Sequence, residues 1–251
     1  MMPVVFVAHG SPMLALDRDK GADLSRWAAQ LPRPRAIVAI SAHWEDDRPL
    51  LGSDRQQDLI YDFGGFPPEM YRLQYRYPAA NGLRDRVARL LRHAGWGTGR
   101  TDRGLDHGVW VPLLHMYPQA DVPVLQVALP SRHTHRMLLS LGQALAPLRQ
   151  DMLIMASGVL VHNFSFMGGG GPEPWAVAFE AWIIEKLQAW DLDALVNYQV
   201  MAPGAGQAVP TPEHFVPLFV ALGAAGDDPA LGVPIRGFEL GSLSRTCLQF
   251  G

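Results

Sequence analysis

The sequence predicts an α/β fold, in which residues 1–251 form a single three-layer α/β/α domain around a central mixed, mostly parallel sheet. Short apolar runs that are typical of buried strands alternate with stretches of helical spacing. No internal repeat or change in composition divides the chain, so we expect one domain. Several apolar runs end at a histidine, where open α/β sheets usually bind ligands.

The first half of the chain contains two strands that each lead into a histidine. Val4–Ala8 is β-branched and apolar and is followed by His9 and a Gly-Ser-Pro turn, while Arg35–Ser41 leads to His43. Between them, Gly21–Leu31 has helical spacing and ends before a proline. The other elements expected in this half are an extended piece at Pro49–Gly52, an amphipathic helix at Asn81–His93 and a helix that opens at Asp106.

The second half continues the alternation of strands and helices. The strands Pro123–Leu129 and Met152–Ser157 flank a helix from about Thr134 to Ala146, and His162 follows the second strand. The remaining elements expected are a long helix at Glu173–Trp190, a helix from Thr211 to Leu222 with His214 in its first turn, and an edge strand within Pro234–Leu240.

Composition and charge exclude several classes of function. The formal net charge of −3 gives no reason to expect a nucleic-acid partner or binding to an anionic membrane surface. No apolar run approaches the ~20 residues of a membrane helix, and no basic region precedes the first apolar stretch. Cys247 is the only cysteine, so it forms neither an internal disulfide nor a thiolate metal site. We therefore expect a cytoplasmic protein.

Five of the nine histidines follow strands or lie at helix starts, where backbone turns let side chains converge; they are His9, His43, His107, His162 and His214. Imidazole suits iron, copper and zinc. Two histidines and a third ligand with open positions are typical of non-haem Fe(II) oxygen chemistry, whereas three ligands and a water on zinc support hydrolysis. Residue types alone leave both readings open. The other histidines are interpreted as structural or exposed: His93, His115, His133 and His135.

An aromatic loop follows the second strand. Tyr61, Phe63 and Phe66 surround the pair Gly64-Gly65. Such a loop is suited to packing on a flat ligand and closing a pocket, although aromatic residues tucked into the core give the same pattern.

The histidines and the aromatic loop belong to an ordered series of motifs: His9-Gly10-Ser11-Pro12, Ser41-Ala42-His43-Trp44, the segment from Tyr61 to Pro67, Asp106-His107-Gly108-Val109-Trp110 and the segment from Glu213 to Leu218. The series resembles that of the DOPA 4,5-dioxygenase (extradiol) family, which belongs to the class III extradiol ring-cleaving dioxygenases. The resemblance runs from residue 4 to about residue 250. It departs from the family pattern at Val159, where a serine is expected after the glycine.

The resemblance implies a function and roles for individual residues. It implies that a catechol such as DOPA is opened by O2, beside its two hydroxyls, to give a muconic semialdehyde. Fe(II) would be the working metal, and Zn(II) can occupy such a site in an isolated sample. The implied metal ligands are His9, His43 and His214, with Glu213 as the competing third ligand. The implied catalytic acid/base is His162, and His107 is a second histidine in the pocket.

Two other functions compete with this one. A zinc-dependent hydrolase could use the same histidines, and a binding protein could keep the scaffold without the reaction. Retention of His162 beside three potential ligands argues against a mere scaffold. We expect Tyr61, Phe63 and Phe66 to contact the substrate, and we leave open the preferred catechol and the oligomeric state, monomer or homodimer.

Overall fold

The computed structural model describes residues 1–168 and 170–251. These residues form an eight-stranded sheet and a separate two-stranded ribbon of Phe238–Glu239 and Leu243–Ser244. The strands are β1 (Val4–Ala8), β2 (Ala36–Asp46), β3 (Leu50–Leu51), β4 (Gly99–Arg100), β5 (Val124–Pro130), β6 (Met152–Gly158), β7 (Leu231–Ile235), β8 (Phe238–Glu239), β9 (Leu243–Ser244) and β10 (Cys247–Phe250). The order across the main sheet is β4-β3-β5-β2-β6-β1-β10-β7.

The four central strands of the sheet, β5, β2, β6 and β1, are parallel to one another. Antiparallel pairs flank them, β3 with β5 on one side and β10 with β1 on the other. The prediction of a mixed, mostly parallel sheet is therefore confirmed. The register places Ala8 opposite Gly158 and Ser41 opposite Ser157, so His9 and His43 lie at the same edge. His9 follows β1 as expected, whereas β2 continues beyond the predicted end at Ser41 and contains His43.

Helices cover both faces of the sheet. The helices are α1 (Arg18–Ala28), α2 (Leu83–His93), α3 (His107–Met116), α4 (His135–Leu145), α5 (Pro174–Gln188), α6 (Leu192–Val196), α7 (Tyr198–Met201), α8 (Ala205–Ala208) and α9 (Pro217–Ala225). Successive residues of β1 alternate between two cores. Val4 and Phe6 pack with α2, α4, α5 and α9, whereas Val5 and Val7 pack with α1 and α3. The three-layer prediction is thus confirmed.

Glycines allow α4 and α9 to pack closely on one face. A Cβ atom at Gly142 would overlap the backbone of α9, and one at Gly223 would overlap the Leu139 carbonyl of α4. The backbones of the two helices therefore meet without side chains between them.

Two expected elements differ from the structure. The helix predicted from Thr211 begins only at Pro217, and turns precede it, with the Phe215 amide bonded to the Pro212 carbonyl at 2.9 Å. His214 therefore lies before the helix and not in its first turn. At the other end of the chain, β7 ends at Ile235, and an unexpected strand, β10, lies between β7 and β1.

Among the described residues, the structure contains no helix that has both the length and the apolar character needed to span a membrane.

Candidate metal centre

The structure brings the five singled-out histidines together at the carboxyl edge of the parallel strands. The Nε2 atoms of His9 and His43 are 3.1 Å apart. The ring of His214 lies 5.3 Å from that of His9 and 4.9 Å from that of His43, measured between centroids. His107 packs beside His43 at 4.0 Å, and His162 stacks on His214 at 3.9 Å. Side chains that are far apart in the sequence thus share one small volume.

The orientation of His9 is determined by a serine on the neighbouring strand β6. The Ser157 hydroxyl donates to the Gly108 carbonyl, so its oxygen is available to accept from His9 Nδ1 at 2.9 Å. Because Nδ1 then carries the proton, Nε2 keeps its lone pair. His9 is buried, with 1% of its surface exposed.

A carboxylate, Asp62, orients two more of the histidines. Its Oδ1 accepts from His107 Nδ1 at 2.9 Å and from the His107 amide at 3.1 Å, while its Oδ2 lies 3.5 Å from His43 Nδ1. Carboxylates commonly hold metal-binding imidazoles in this way and raise their basicity. Asp62 was part of a recognised motif but received no role from the sequence.

Glu213 plays the same part for His214. Its Oε1 accepts from His214 Nδ1 at 3.0 Å and from the Thr211 hydroxyl at 2.8 Å. The hydrogen bond with His214 is the main reason why the pKa of Glu213 falls to about 2. The carboxylate is therefore engaged at the side of the imidazole away from Nε2, which favours an orienting role over the competing assignment as a ligand.

The donor set fits a transition-metal ion. His9, His43 and His214 each have an acceptor beside Nδ1, which leaves three Nε2 lone pairs for coordination. Two such lone pairs facing each other at 3.1 Å repel unless a cation or a proton lies close to both. Three imidazole donors suit iron, copper or zinc.

Burial keeps the imidazoles of His9, His43 and His162 neutral. Removal from water, reinforced by the neighbouring histidines, lowers the pKa of His9 well below its ordinary value. The same causes lower the pKa of His43 to about 3. Burial and then His214 lower the pKa of His162 to about 4. A neutral imidazole is the form that binds a metal or accepts a proton.

His107 offers a second choice of ligand triad. One nitrogen from each of His9, His43 and His107 lies within 4.8 Å of the others. The ring separations of that triad are unequal, 4.9, 5.7 and 4.0 Å. Those of His9, His43 and His214 are 4.9, 5.3 and 4.9 Å, and the donor atoms of His214 also lie within 4.8 Å of those of His162 and Glu213.

A buried polar network supports His43 from behind and was not foreseen. The Ser41 hydroxyl accepts from the His43 amide at 3.1 Å and donates to Asp106 at 2.8 Å. Asp106 also accepts from Gln126 and Arg103, and its side chain makes no capping hydrogen bond at the start of α3. Burial raises the pKa of this carboxyl, which its hydrogen bonds oppose.

The histidines face a cavity of about 420 Å³. Phe63 and Phe66 line it, as expected of substrate-contacting residues. Tyr61 does not line it: its hydroxyl donates to the Leu73 carbonyl at 2.6 Å and its ring packs on Phe63 and Trp110, so it supports the loop. The other apolar lining residues, to which the sequence reasoning gave no contact with a ligand, are Pro12, Val159, Phe164, Met167, Leu240 and Leu243.

Comparisons with known proteins agree on one group of relatives. A family model described as the catalytic LigB subunit of aromatic ring-opening dioxygenase matches residues 3–244. The chain is 42% identical to 4,5-DOPA dioxygenase extradiol of Beta vulgaris, over 98% of this chain and 95% of that one. It is 36% identical to the protein of the same name from Escherichia coli K12, over 100% and 95%. The crystal structure of an uncharacterized Escherichia coli K12 protein superposes with a TM-score of 0.84 at 32% identity and covers 100% of both chains.

Proposed function

Because the chain belongs to the family of the catalytic LigB subunit of aromatic ring-opening dioxygenase, we propose that it opens a catechol ring with O2 at a metal held by His9, His43 and His214. The proposed cleavage lies beside the two hydroxyls and gives a muconic semialdehyde. Membership of the family confirms the resemblance inferred from the motifs. The observation that carries the proposal is the convergence of three imidazoles whose Nδ1 atoms each face an acceptor.

The proposed working metal is Fe(II). When bound, it would supply a Lewis acid that lowers the pKa of the catechol hydroxyls and the redox chemistry that reaction with O2 requires. Zinc has no role in the proposed reaction. It nevertheless binds such sites more tightly than ferrous iron in the general affinity order. Metal content must therefore be controlled in every assay.

The chain's own side chains supply proton transfer. His162 lines the cavity and is neutral near pH 7, because burial lowers its pKa to about 4. A neutral imidazole at that place accepts a proton from a catechol hydroxyl and returns it later in the reaction. His107, oriented by Asp62, packs beside His43 and contributes a second polar group to the pocket.

The aromatic side chains supply substrate positioning. Phe63 lies with its ring centroid 5.3 Å from Phe66 and 5.6 Å from His107. Both phenylalanines line the cavity, where they can pack against a planar ring and exclude water from the reacting groups.

The proposal is tested by loading metal-free protein with Fe(II) without oxygen, adding a catechol and then admitting air. DOPA is the first catechol to test, since several relatives are named for it. We expect oxygen uptake and a yellow product. Ester or amide cleavage by zinc-loaded protein without oxygen would favour the hydrolase instead.

Two sets of variants assign the residues. His162→Ala should bind metal as the wild type does and lose turnover, whereas His93→Ala, at an exposed position, should change neither. His214→Ala should lose metal affinity and His107→Ala should keep most of it. The reverse result would assign the third ligand to His107.

A further inference from the structure

The backbone of Leu240 has a conformation that is unusual for a leucine. Its φ of 52° lies in the left-handed region, and the next residue, Gly241, has a φ of 79°. Two successive residues of this kind in a tight turn are typically Asn-Gly or Gly-Gly, because a larger side chain is crowded by the neighbouring carbonyl oxygen. Among the described residues, three others that are not glycine have a positive φ, and none of them lines the cavity; they are Ala120, Trp190 and Asp228.

Hydrogen bonds to a neighbouring segment hold this turn in place. Leu240 and Gly241 lie in the connection between β8 and β9. The Leu240 carbonyl accepts from the Gly168 amide at 3.0 Å, and the Gly241 carbonyl accepts from the Glu173 amide at 2.8 Å. A strained conformation persists where its surroundings fix it. Both hydrogen bonds use backbone atoms alone, so they do not depend on which side chain residue 240 carries.

Packing within the protein does not account for the leucine either. Leu240 is 45% exposed, whereas Leu243 of the same ribbon is 4% exposed. The burial of apolar surface therefore favours a leucine at position 243 strongly and at position 240 much less. Strained residues cluster at active sites and at the positions that hold ligands. The strain at Leu240 thus points to a role toward a ligand.

Leu240 lines the cavity that contains the histidines. At the inner end of this cavity the imidazoles are buried, with exposed fractions of 1% for His9 and 5% for His107. At the other end lies an apolar mouth formed by Leu240, Phe164 and Met167, of which 45%, 62% and 43% are exposed. A catechol whose hydroxyls lie at the histidines therefore directs a ring substituent toward this mouth.

We propose that Leu240 is a specificity-determining residue, which packs against the carbon atoms of the substituent that the catechol ring carries. The turn holds the side chain at the mouth, and contact with the substrate is what the strained leucine supplies. This inference rests on the proposed function, because it concerns the substituent of a catechol whose hydroxyls lie at the histidines. It concerns the carbon atoms of that substituent and is independent of any charge that the substituent carries.

The test measures the ratio of kcat/KM for 4-propylcatechol to kcat/KM for unsubstituted catechol with Fe(II)-loaded protein. Leu240→Gly should lower this ratio by about tenfold, which is the loss expected when about two of the propyl carbons lose their apolar cover. The change should appear in KM more than in kcat, since the contact is present both in the bound substrate and in the transition state. A ratio within about twofold of the wild-type ratio would overturn the inference.

Thermal stability separates this role from a structural one. Glycine adopts a positive φ without steric cost, so Leu240→Gly should have a Tm at or above that of the wild type. A lower Tm would show that the leucine stabilises the turn and would overturn the inference.

Two further variants test the chemistry of the contact. Leu240→Met keeps an apolar side chain and should retain the wild-type ratio. Leu240→Asn has a polar side chain that tolerates a positive φ, so it should lower the ratio as Leu240→Gly does. A ratio for Leu240→Met as low as that for Leu240→Gly would contradict an apolar contact.

The matched control is Ala120→Gly. Ala120 also has a positive φ, of 50°, and does not line the cavity. The substitution should preserve or raise Tm for the same reason and leave the ratio unchanged. An equal fall of the ratio in this variant would attribute the effect to the glycine itself and overturn the inference.

Failure of the proposed function gives a different result. Anaerobic calorimetry on the same preparations gives the ratio of the dissociation constants of the two catechols. If neither catechol causes oxygen uptake, ring opening is wrong, while a change of about tenfold in the binding ratio between the wild type and Leu240→Gly still supports the role of Leu240. An unchanged binding ratio, or no binding of either catechol, would overturn that role.

Discussion

Gly158→Ala is the substitution that most directly tests how the fold positions His214. Gly158 ends β6, and a Cβ atom at this position would overlap the His214 carbonyl oxygen. It would also come within 3.1 and 3.2 Å of two ring atoms of Phe6, which is fully buried. The next residue, Val159, donates its amide to the same carbonyl at 2.8 Å. The backbone that carries His214 is thus held against a position where only glycine fits.

The size of the effect follows from this overlap. Restoring ordinary van der Waals distances of about 3.5 Å requires the His214 segment to move by about 1 Å, since the Phe6 ring is enclosed on its other sides. A misplacement of about 1 Å at a catalytic site costs about 10²-fold in rate. Overpacking of a dense interior also destabilises the folded state by about 1–3 kcal/mol.

The assay measures kcat for the preferred catechol with Fe(II)-loaded protein, metal affinity by competition with a chelator, and Tm. We expect turnover to fall by about 10²-fold, together with weaker metal binding and a lower Tm. The matched control is Gly97→Ala, because a Cβ atom at Gly97 would have no neighbour within 4 Å. If Gly158→Ala turns over within about threefold of the wild type, the packing does not position His214 as argued here.

Three further predictions concern the surroundings of the site and the stability of the chain. Asp62→Asn keeps the shape of the side chain but removes the charged acceptor of His107 and His43, so metal affinity should fall by about 10- to 100-fold. The control is Asp102→Asn, because the Asp102 side chain is 81% exposed. A metal affinity of Asp62→Asn within about twofold of the wild type would contradict the orienting role. Metal at 100 times its Kd should increase the free energy of unfolding by about 2.7 kcal/mol and raise Tm by about 5–10 °C, which scanning calorimetry with and without chelator will detect. An unchanged Tm would contradict a preformed site. Burial raises the pKa of Glu180, so the wild type should lose stability relative to Glu180→Gln as pH rises above about 4.3. The measurement is the denaturant midpoint of both proteins from pH 4 to 7. A constant difference between the two midpoints over this range would contradict the prediction.

The sign of the Glu180 prediction follows from linkage. A carboxyl whose pKa is raised in the folded state binds its proton more tightly there than in the unfolded chain. Its contribution to stability is therefore complete at low pH and is lost as pH rises through the folded-state pKa. The hydroxyls of Ser244 and Thr246 donate to this carboxyl, and these hydrogen bonds and the positive charge of Arg236 lower its pKa. Burial raises the pKa by more than they lower it.

The sheet and the meeting of the histidines could be predicted because their signals are local. The apolar run of β1 ends at Ala8, directly before His9, and that of β2 ends at Ile40, three residues before His43. Parallel strands bring their carboxyl ends to one edge, so His9 and His43 had to converge if the sheet formed. Register and strand order were not needed for that conclusion.

The acceptors that orient the histidines could not be predicted, since their roles depend on partners distant in the sequence. Ser157 and Asp62 are ordinary residues until the fold places them beside His9 and His107. The helix start was misplaced for a local reason. Thr211 and the proline after it imitate the beginning of a helix, but Pro217 also fits the first helical position and is the one that the chain uses.

The position of strand β1 in the sheet determines when during synthesis it can pair with its neighbours. It lies between β6 and β10, and the Ala8 amide, adjacent to His9, donates to Cys247 Sγ across 239 residues of sequence. During translation, His9 leaves the ribosome long before either flanking strand exists, and pairings at such separation form slowly. The nascent polypeptide therefore carries unassembled imidazoles through most of its synthesis. The sheet that carries His9 and His43 is complete only after Cys247–Phe250 have emerged, so the histidine site is completed late in biogenesis.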